Sequence, residues 1–594
     1  MMIKKSTLLL LLSIFLLQPA TNAKDRTGDG EKDSLSYHEF DYRMQMALER
    51  LTGNKIIPEY TEQFILADVN LDPSYIRRFN NFSGDLSGRY LEVMSMVNKK
   101  NVKINLPGLV KKIISFQKKD GRFGSDSLIF NKDRIGGEHM ALLWGNGRML
   151  VGLMQYYKEY KDEDALKAAL RLGDFFISCY TVCSDPEVSK RLEGFRAMGI
   201  ICFTQYIEGL VLLSEYSHDP KYAQIAARTY KVLPPRGKQH THGYLSTLRG
   251  VLMLYNYDHK KEHLDFVKSK YDDLVQSEDY TPFGSVREYF GHMKEDRDEG
   301  CSTADFMRLS FDLYKITGNK TYLDKGEFSL LNALYFNQYY TGDFGAHVLI
   351  PEGSGSDFLQ ASWWCCTMHG LRAMYEVRKN YLAEETASGI KINLYVETAY
   401  HGHNIEYAMV KDKVENGLHW YNIKINTVKP NSGPLALRIP GWVEKAVIWV
   451  NGKKVNTTPK QGYISIDKFV AGDVIRIGFV YKTNIYTADG NVVGLAQLTE
   501  VPVVGYLHYG PYLLGVDDKL DPTFTAEPNR NTIYMKHAKP AANSYYSMRY
   551  QHDGFPSDLP GKLRPVSTLT FDKHGYLMIR LSFASEKVKT GILD

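Results

Sequence analysis

Polar turns punctuate the first two thirds of this chain at Asp162, Asp219-Pro220, Tyr257-Asp258 and Thr317-Gly318-Asn319. Between them the apolar residues fall at helical spacing. In Arg89-Tyr90-Leu91-Glu92-Val93-Met94-Ser95-Met96-Val97 they follow i, i+3, i+4 and i+7. A turn every roughly 40–60 residues between apolar helices is the pattern of stacked helical hairpins. Such hairpins can close into a helical toroid with a cleft at one end. The periodicity predicts the hairpins and leaves closure open.

The pattern changes near Glu384. Alternation of apolar and polar residues begins at Ile390–Val396 and returns at Tyr421–Thr427, Leu435–Ile439 and Tyr463–Asp467. Val447–Val455 reads as a hairpin turning at Asn451-Gly452. Several short strands with regular turns predict a β-sandwich. After Gly490, Val492–Leu498 and Gly505–Pro511 indicate a second β region. The expected organisation is a multidomain α + β chain, helical over 24–384, a sandwich over 385–489 and β-rich over 490–594.

The chain opens with Lys4 and Lys5, an apolar run Leu8–Leu17, and Thr21-Asn22-Ala23. This is the layout of a secretory signal peptide, with cleavage expected after Ala23. No cysteine lies near that site, which argues against a lipid anchor. No later apolar run reaches the roughly 18 residues of a membrane span. The expectation is an exported protein, periplasmic or extracellular. The formal charge of +5 falls to +3 without Lys4 and Lys5, and basic stretches such as Lys111–Lys119 are interleaved with apolar residues as on a helix face. Nucleic acid is a poor partner for such a chain. The 41 tyrosines suit sugar clefts, but they suit cores and interfaces equally.

An exported protein normally pairs its cysteines. This chain has six, and Cys365 and Cys366 are adjacent, a geometry that strains a disulfide. Cys179 and Cys183 could pair or simply pack in a helix, and Cys202 sits in an apolar stretch as core filler. Cys301, two residues after Glu299, and the Cys365-Cys366 pair remain. Each opens a predicted helix, Ser302–Leu309 after the first and Thr367–Glu376 after the second. A helix N-terminus favours anions and lowers a thiol pKa. Two such ends meeting beside Glu299 would concentrate negative charge that a thiophilic divalent cation relieves, zinc best of all. Such a site can be purely structural, or one metal-bound thiolate can act as a nucleophile. Glycoside chemistry would need a second group, and Glu288 in Val286-Arg287-Glu288-Tyr289-Phe290 is a candidate. Desolvation would raise its pKa and Arg287 would lower it. A surface carboxylate is the simpler interpretation of Glu288 alone.

At these residues the chain resembles glycoside hydrolase family 127, the β-L-arabinofuranosidase-type enzymes. The resemblance rests on Glu299-Gly300-Cys301, on Cys365-Cys366 with Arg372 on the following helix, and on Glu288 before Phe290. Gly88-Arg89-Tyr90-Leu91-Glu92, Leu435–Trp442 and Val450-Asn451-Gly452 extend it to about residue 515. It implies an (α/α)6 barrel followed by C-terminal β-sandwich domains. It implies Zn2+ held by Glu299, Cys301, Cys365 and Cys366. It also implies that Cys365 forms an S-glycosyl intermediate, with Glu288 as acid and then base, in a retaining hydrolase acting on plant-type polysaccharide.

The chain departs from that pattern where family histidines line the sugar pocket. His369 stands in place of an asparagine, Gly147-Arg148 in place of a Gly-His pair, and Ser246 near an altered site at His242-Gly243-Tyr244. The loop from Glu288 to Glu299 is short. Arg148, His242, Tyr289 and His369 are the candidate substrate-binding residues, and Arg148 suggests an acidic sugar. Two other functions fit the sequence. One is a carbohydrate-binding protein that has kept a structural zinc and lost turnover. The other is a polysaccharide lyase on the same toroid, with Tyr289 and His292 as base candidates.

Overall fold

The computed structural model describes residues 38–487 except 54–55, 57, 75–80, 98–103, 292–296, 340, 351–352, 358–362 and 457. It also describes 492–494, 504–517, 564–568, 576–580 and 582–584. The proposed signal segment and His292 lie outside the described residues.

Twelve helices build the toroid: α1 (Glu39–Thr52), α2 (Asp85–Met96), α3 (Leu106–Ser115), α4 (Gly137–Tyr160), α5 (Glu163–Cys183), α6 (Ile207–Ser217), α7 (Pro220–Thr229), α8 (Thr241–Asp258), α9 (Lys261–Val275), α10 (Gly300–Thr317), α11 (Lys320–Phe328) and α12 (Trp364–Asn380). Helices α2, α4, α6, α8, α10 and α12 pack in that order, and α12 packs back on α2. The ring is therefore closed. Each inner helix is covered by an outer one: α2 by α3, α4 by α5, α6 by α7, α8 by α9, α10 by α11, and α12 by α1.

The polar turns seen in the sequence are the inner-to-outer corners. Lys161, His218, His259 and Gly318 end α4, α6, α8 and α10 in the left-handed region. Asp162, Asp219 and Asn319 then cap the next helix by accepting hydrogen bonds from its first amides. Inner helices are buried nearly all round, so their packing needs small residues. A Cβ on Gly152 of α4 would stand 2.3 Å from the Gly88 carbonyl oxygen of α2. That contact lets the two backbones touch and seats Arg89 in the bore.

Past α12 the chain turns to strands at Ala383. A four-stranded sheet runs 463–466, 435–438, 389–392, 383–386, and a six-stranded sheet runs 453–455, 443–450, 474–481, 419–428, 405–411, 398–401. Asn451 and Gly452, at φ of 49° and 75°, make the tight hairpin turn. Arg438 and Trp442 both donate to Glu327 Oε2 on α11, at 3.0 and 2.8 Å, and so join this unit to the barrel.

A third, nine-stranded sheet includes 504–509, 512–517 and 576–580. It also takes 348–350 and 353–357 from the chain ahead of α12, with 353–357 pairing antiparallel to 576–580. The last β region is therefore not confined to residues after 490. Gly353-Ser354-Gly355-Ser356-Asp357 has no apolar alternation, so the sequence pattern does not mark it. Among the described residues, no helix is long and apolar enough to cross a membrane.

Candidate active site and metal centre

The N-terminal ends of α8, α10 and α12 meet at one end of the barrel. Glu299 is the residue before α10, Cys301 is its second residue, and Cys365 and Cys366 are the second and third of α12. One ligand atom from each of these four residues lies within 4.8 Å of all the others, and all four residues are buried. Backbone bonds from Gly300 N to Gly345 O and from Trp363 N to Phe344 O, at 2.9 and 3.0 Å, fix the two helix starts on the same loop. Ser302 Oγ donates to Glu299 Oε2 at 2.8 Å.

The residues fit a thiophilic cation. The Cys301 and Cys366 sulfurs are 3.7 Å apart, far beyond a disulfide bond. That separation matches the edge of a tetrahedron with Zn–S near 2.3 Å, which is about 3.75 Å. All six cysteines are free thiols. Burial pushes the Cys301 and Cys366 thiols and the Glu299 carboxyl well up, so this donor set resists ionising together without a cation. Cys365 goes the other way. Hydrogen bonds from Cys301 and Cys366, with Arg89 nearby, overcome burial and hold it well below the ordinary thiol range.

Glu288 lies beside this cluster. Its main chain is held by Thr241 N to Glu288 O and by Glu288 N to Arg297 O, both 2.9 Å. Its carboxylate is gripped by Arg297, through Nε to Oε2 and through Nη2 to Oε1 at 3.1 Å. The cation on Glu288 is thus Arg297, nine residues on, whereas Arg287 turns its Nε to the Glu278 carbonyl. His240 Nε2 stands 3.8 Å from Glu288 Oε1 and 3.7 Å from Glu299 Oε2. Glu288, His240 and Glu299 form a second close group, so Glu299 is common to both. Burial, helped by His242, drives the His240 pKa down to about 3, which keeps the ring neutral at neutral pH.

Below lies Asp305, one turn deeper on α10 than Cys301. It accepts from His242 Nδ1 at 2.5 Å, His369 Nε2 at 2.8 Å, Ser246 Oγ at 3.0 Å and Arg308 Nη1 at 3.0 Å. Burial opposes its ionisation, but the histidines and their hydrogen bonds outweigh it and hold Asp305 well below its usual range. Arg89 completes the chain of contacts, with Nη2 2.7 Å from His242 Nε2 and Nη1 3.9 Å from Cys301 Sγ. His242 and His369 are almost fully buried and line the floor of the site, while Tyr289 is half-buried with its ring 4.9 Å from His240.

Arg148 is elsewhere. It is 0% exposed inside the bore, with Nε on Gln205 Oε1 at 3.0 Å and Nη2 on Glu208 Oε2 at 3.3 Å. Glu208 is also met by Arg372 at 2.7 Å and Arg249 at 3.3 Å. The expectation that Arg148 faces a substrate carboxylate is corrected: its charge is already paired. Arg148→Met should cost about 2–3 kcal/mol in urea unfolding, the worth of hydrogen bonds to charged groups. It should leave any preference between neutral and carboxylated glycosides unchanged.

The same network makes stability depend on acid. Arg308, Arg372 and Arg249 outweigh burial at Glu376 and lower its pKa from 4.5 to about 2. A carboxylate depressed on folding stabilises the protein above its unfolded pKa and loses that contribution as the pH falls through the folded value. Between pH 4.5 and about 2, Glu376 alone should withdraw about 3 kcal/mol. Glu376→Gln should flatten that part of the pH profile of denaturant unfolding.

Sequence reasoning missed His240, Arg297 and Asp305, and gave Arg89 no role. His240 could have been found from His240-x-His242 at a helix start. Asp305 could have been found from its place one turn below Cys301.

The profile of the β-L-arabinofuranosidase GH127 catalytic domain matches residues 55–379, and that of the GH127 middle domain matches 389–480. The chain belongs to glycoside hydrolase family 127. It is a glycoside hydrolase on an (α/α)6 barrel. A GH127 β-L-arabinofuranosidase from Geobacillus stearothermophilus T6 has a similar structure, with a TM-score of 0.59 at 14% identity over 92% of this chain and 99% of that one. Another structure, a GH127 β-arabinofuranosidase, gives 0.60 at 14% identity over 92% and 96%. No curated protein is a significant sequence match. The GH127 profile ends at 379, one residue before α12 does.

Proposed function

We propose that this GH127 hydrolase is exported and releases a β-L-arabinofuranosyl or related sugar from plant-type polysaccharide, with retention. Glu288 beside a buried three-cysteine cluster is the observation that supports this most. Glu299, Cys301, Cys365 and Cys366 would hold zinc, which supplies charge compensation that keeps buried thiols ionised.

In this scheme the Cys365 sulfur attacks the anomeric carbon. The C–S bond forms as the glycosidic C–O bond breaks, and Glu288 gives its proton to the leaving oxygen. Glu288 then takes a proton from water. The water oxygen bonds to the anomeric carbon and Cys365 leaves as thiolate, which restores both groups. The backbone bonds at 288 hold the residue in place, and the Arg297 fork favours the carboxylate form that takes a proton from water in the second half-reaction. His369, locked by Asp305 through Nε2, offers its Nδ1 to a sugar hydroxyl, while both ring nitrogens of His242 are taken up by Asp305 and Arg89, so that His242 positions the floor of the site. With Arg148 paired to Glu208, that residue gives no support to an acidic sugar at the cleaved position.

A screen of arabinan and pectic oligosaccharides tests this, with NMR of the first-formed anomer. Release of L-arabinose with β configuration is expected. Binding without release would favour a carbohydrate-binding protein, and unsaturated products would favour a lyase. Metal analysis should return one zinc per chain, and cobalt exchange should produce thiolate-to-metal absorption.

A further inference from the structure

The rim of the site joins guanidinium groups to aromatic faces. Arg297, 39% exposed at its side chain, lies over the Trp363 ring at 4.3 Å while it holds Glu288. Arg196 lies over the Tyr289 ring at 5.5 Å, and Tyr289 meets His240, which meets Glu288. Beside it Phe195 is 48% exposed, packed near the start of α4 where a Cβ on Gly137 would lie 3.1 Å from its ring.

Two features set Arg196 apart from an ordinary surface arginine. It is exposed with no carboxylate partner among the described residues, in a molecule whose other rim arginine is paired. Its backbone has φ of 47°, a left-handed conformation that an arginine adopts only at a steric cost. A strained, exposed residue beside Tyr289 that holds a cation without a carboxylate partner among the described residues points to a ligand.

We propose that Phe195, Arg196 and Tyr289 form a leaving-group subsite that takes a carboxylated sugar, a uronic acid residue. This rests on Glu288 being the proton donor, because the group it protonates must sit beside it and therefore beside Tyr289 and Arg196. The exposed Phe195 ring offers a stacking face for a pyranose. The guanidinium fork of Arg196 matches a carboxylate in two parallel hydrogen bonds. The acidic sugar is thus the one left behind, and the sugar released is neutral.

Calorimetric titration of the full chain with digalacturonic acid and with galactobiose tests the subsite without requiring turnover. Digalacturonic acid should bind about tenfold more tightly at low salt, with the difference shrinking as salt screens it. Arg196→Met should remove most of that preference and leave galactobiose binding unchanged. Arg228→Met, an exposed arginine on α7, should change neither. Equal affinity for the two disaccharides, or a preference that survives Arg196→Met, would overturn the subsite. Arabinofuranoside hydrolysis intact in that case would leave the reaction itself standing. Uronate preference without arabinofuranoside hydrolysis would mean that the released sugar was wrong and the subsite right.

Discussion

Cys365→Ala is expected to lower turnover by about 10,000-fold or more, the scale seen when a covalent nucleophile is removed. The fold should survive, because Cys365 is one small side chain at the start of α12, whose other residues stay packed against α2 and α10. Loss of activity alone does not separate a nucleophile from a metal ligand, since Cys366→Ala removes a thiol from the same cluster. Azide separates them. A small anion entering the space left by the Cys365 sulfur would attack the anomeric carbon from that face and release a glycosyl azide of inverted configuration. The azide product should form with Cys365→Ala and be absent with Cys366→Ala. A fully active Cys365→Ala enzyme would remove Cys365 from the mechanism.

The second large effect is at Glu288. Glu288→Gln keeps the shape of the side chain but cannot donate a proton. Substrates whose leaving group needs that proton should slow by about 1,000-fold, within the usual range for general acid catalysis. Aryl glycosides with acidic leaving groups should suffer little in the first half-reaction. They should then stall in the second, because the same residue activates water. A burst of phenol followed by slow turnover is the expected trace. Equal slowing across leaving groups would mean that Glu288 only shapes the pocket.

Much of the barrel was legible because its corners are local chemistry. Asp162, Asp219 and Asn319 cap helices through their own side chains, so each turn could be read from a few residues. Closure was not legible, since the packing of α12 on α2 joins residues nearly three hundred positions apart. The cysteines were legible because adjacent thiols at Cys365 and Cys366 have few other uses. Arg148 was misread for an instructive reason. Its sequence neighbours give no sign of Glu208 and Gln205, which arrive from α6 and the turn before it and take up its charge. Arg297 escaped for the converse reason: in the sequence it is one of the charged residues of Lys294-Glu295-Asp296-Arg297-Asp298, and only the fold shows Arg297 itself on Glu288.

The central claim is that the sulfur of Cys365 becomes bonded to the sugar. It is tested most directly by mixing Glu288→Gln with an activated aryl glycoside, quenching in acid during the stalled phase, and mapping the peptides by mass spectrometry. The expected result is one glycosyl residue on the peptide containing Cys365, at that sulfur. A glycosyl group on a carboxylate instead, or a burst of phenol with no adduct and an inverted sugar product, would contradict it.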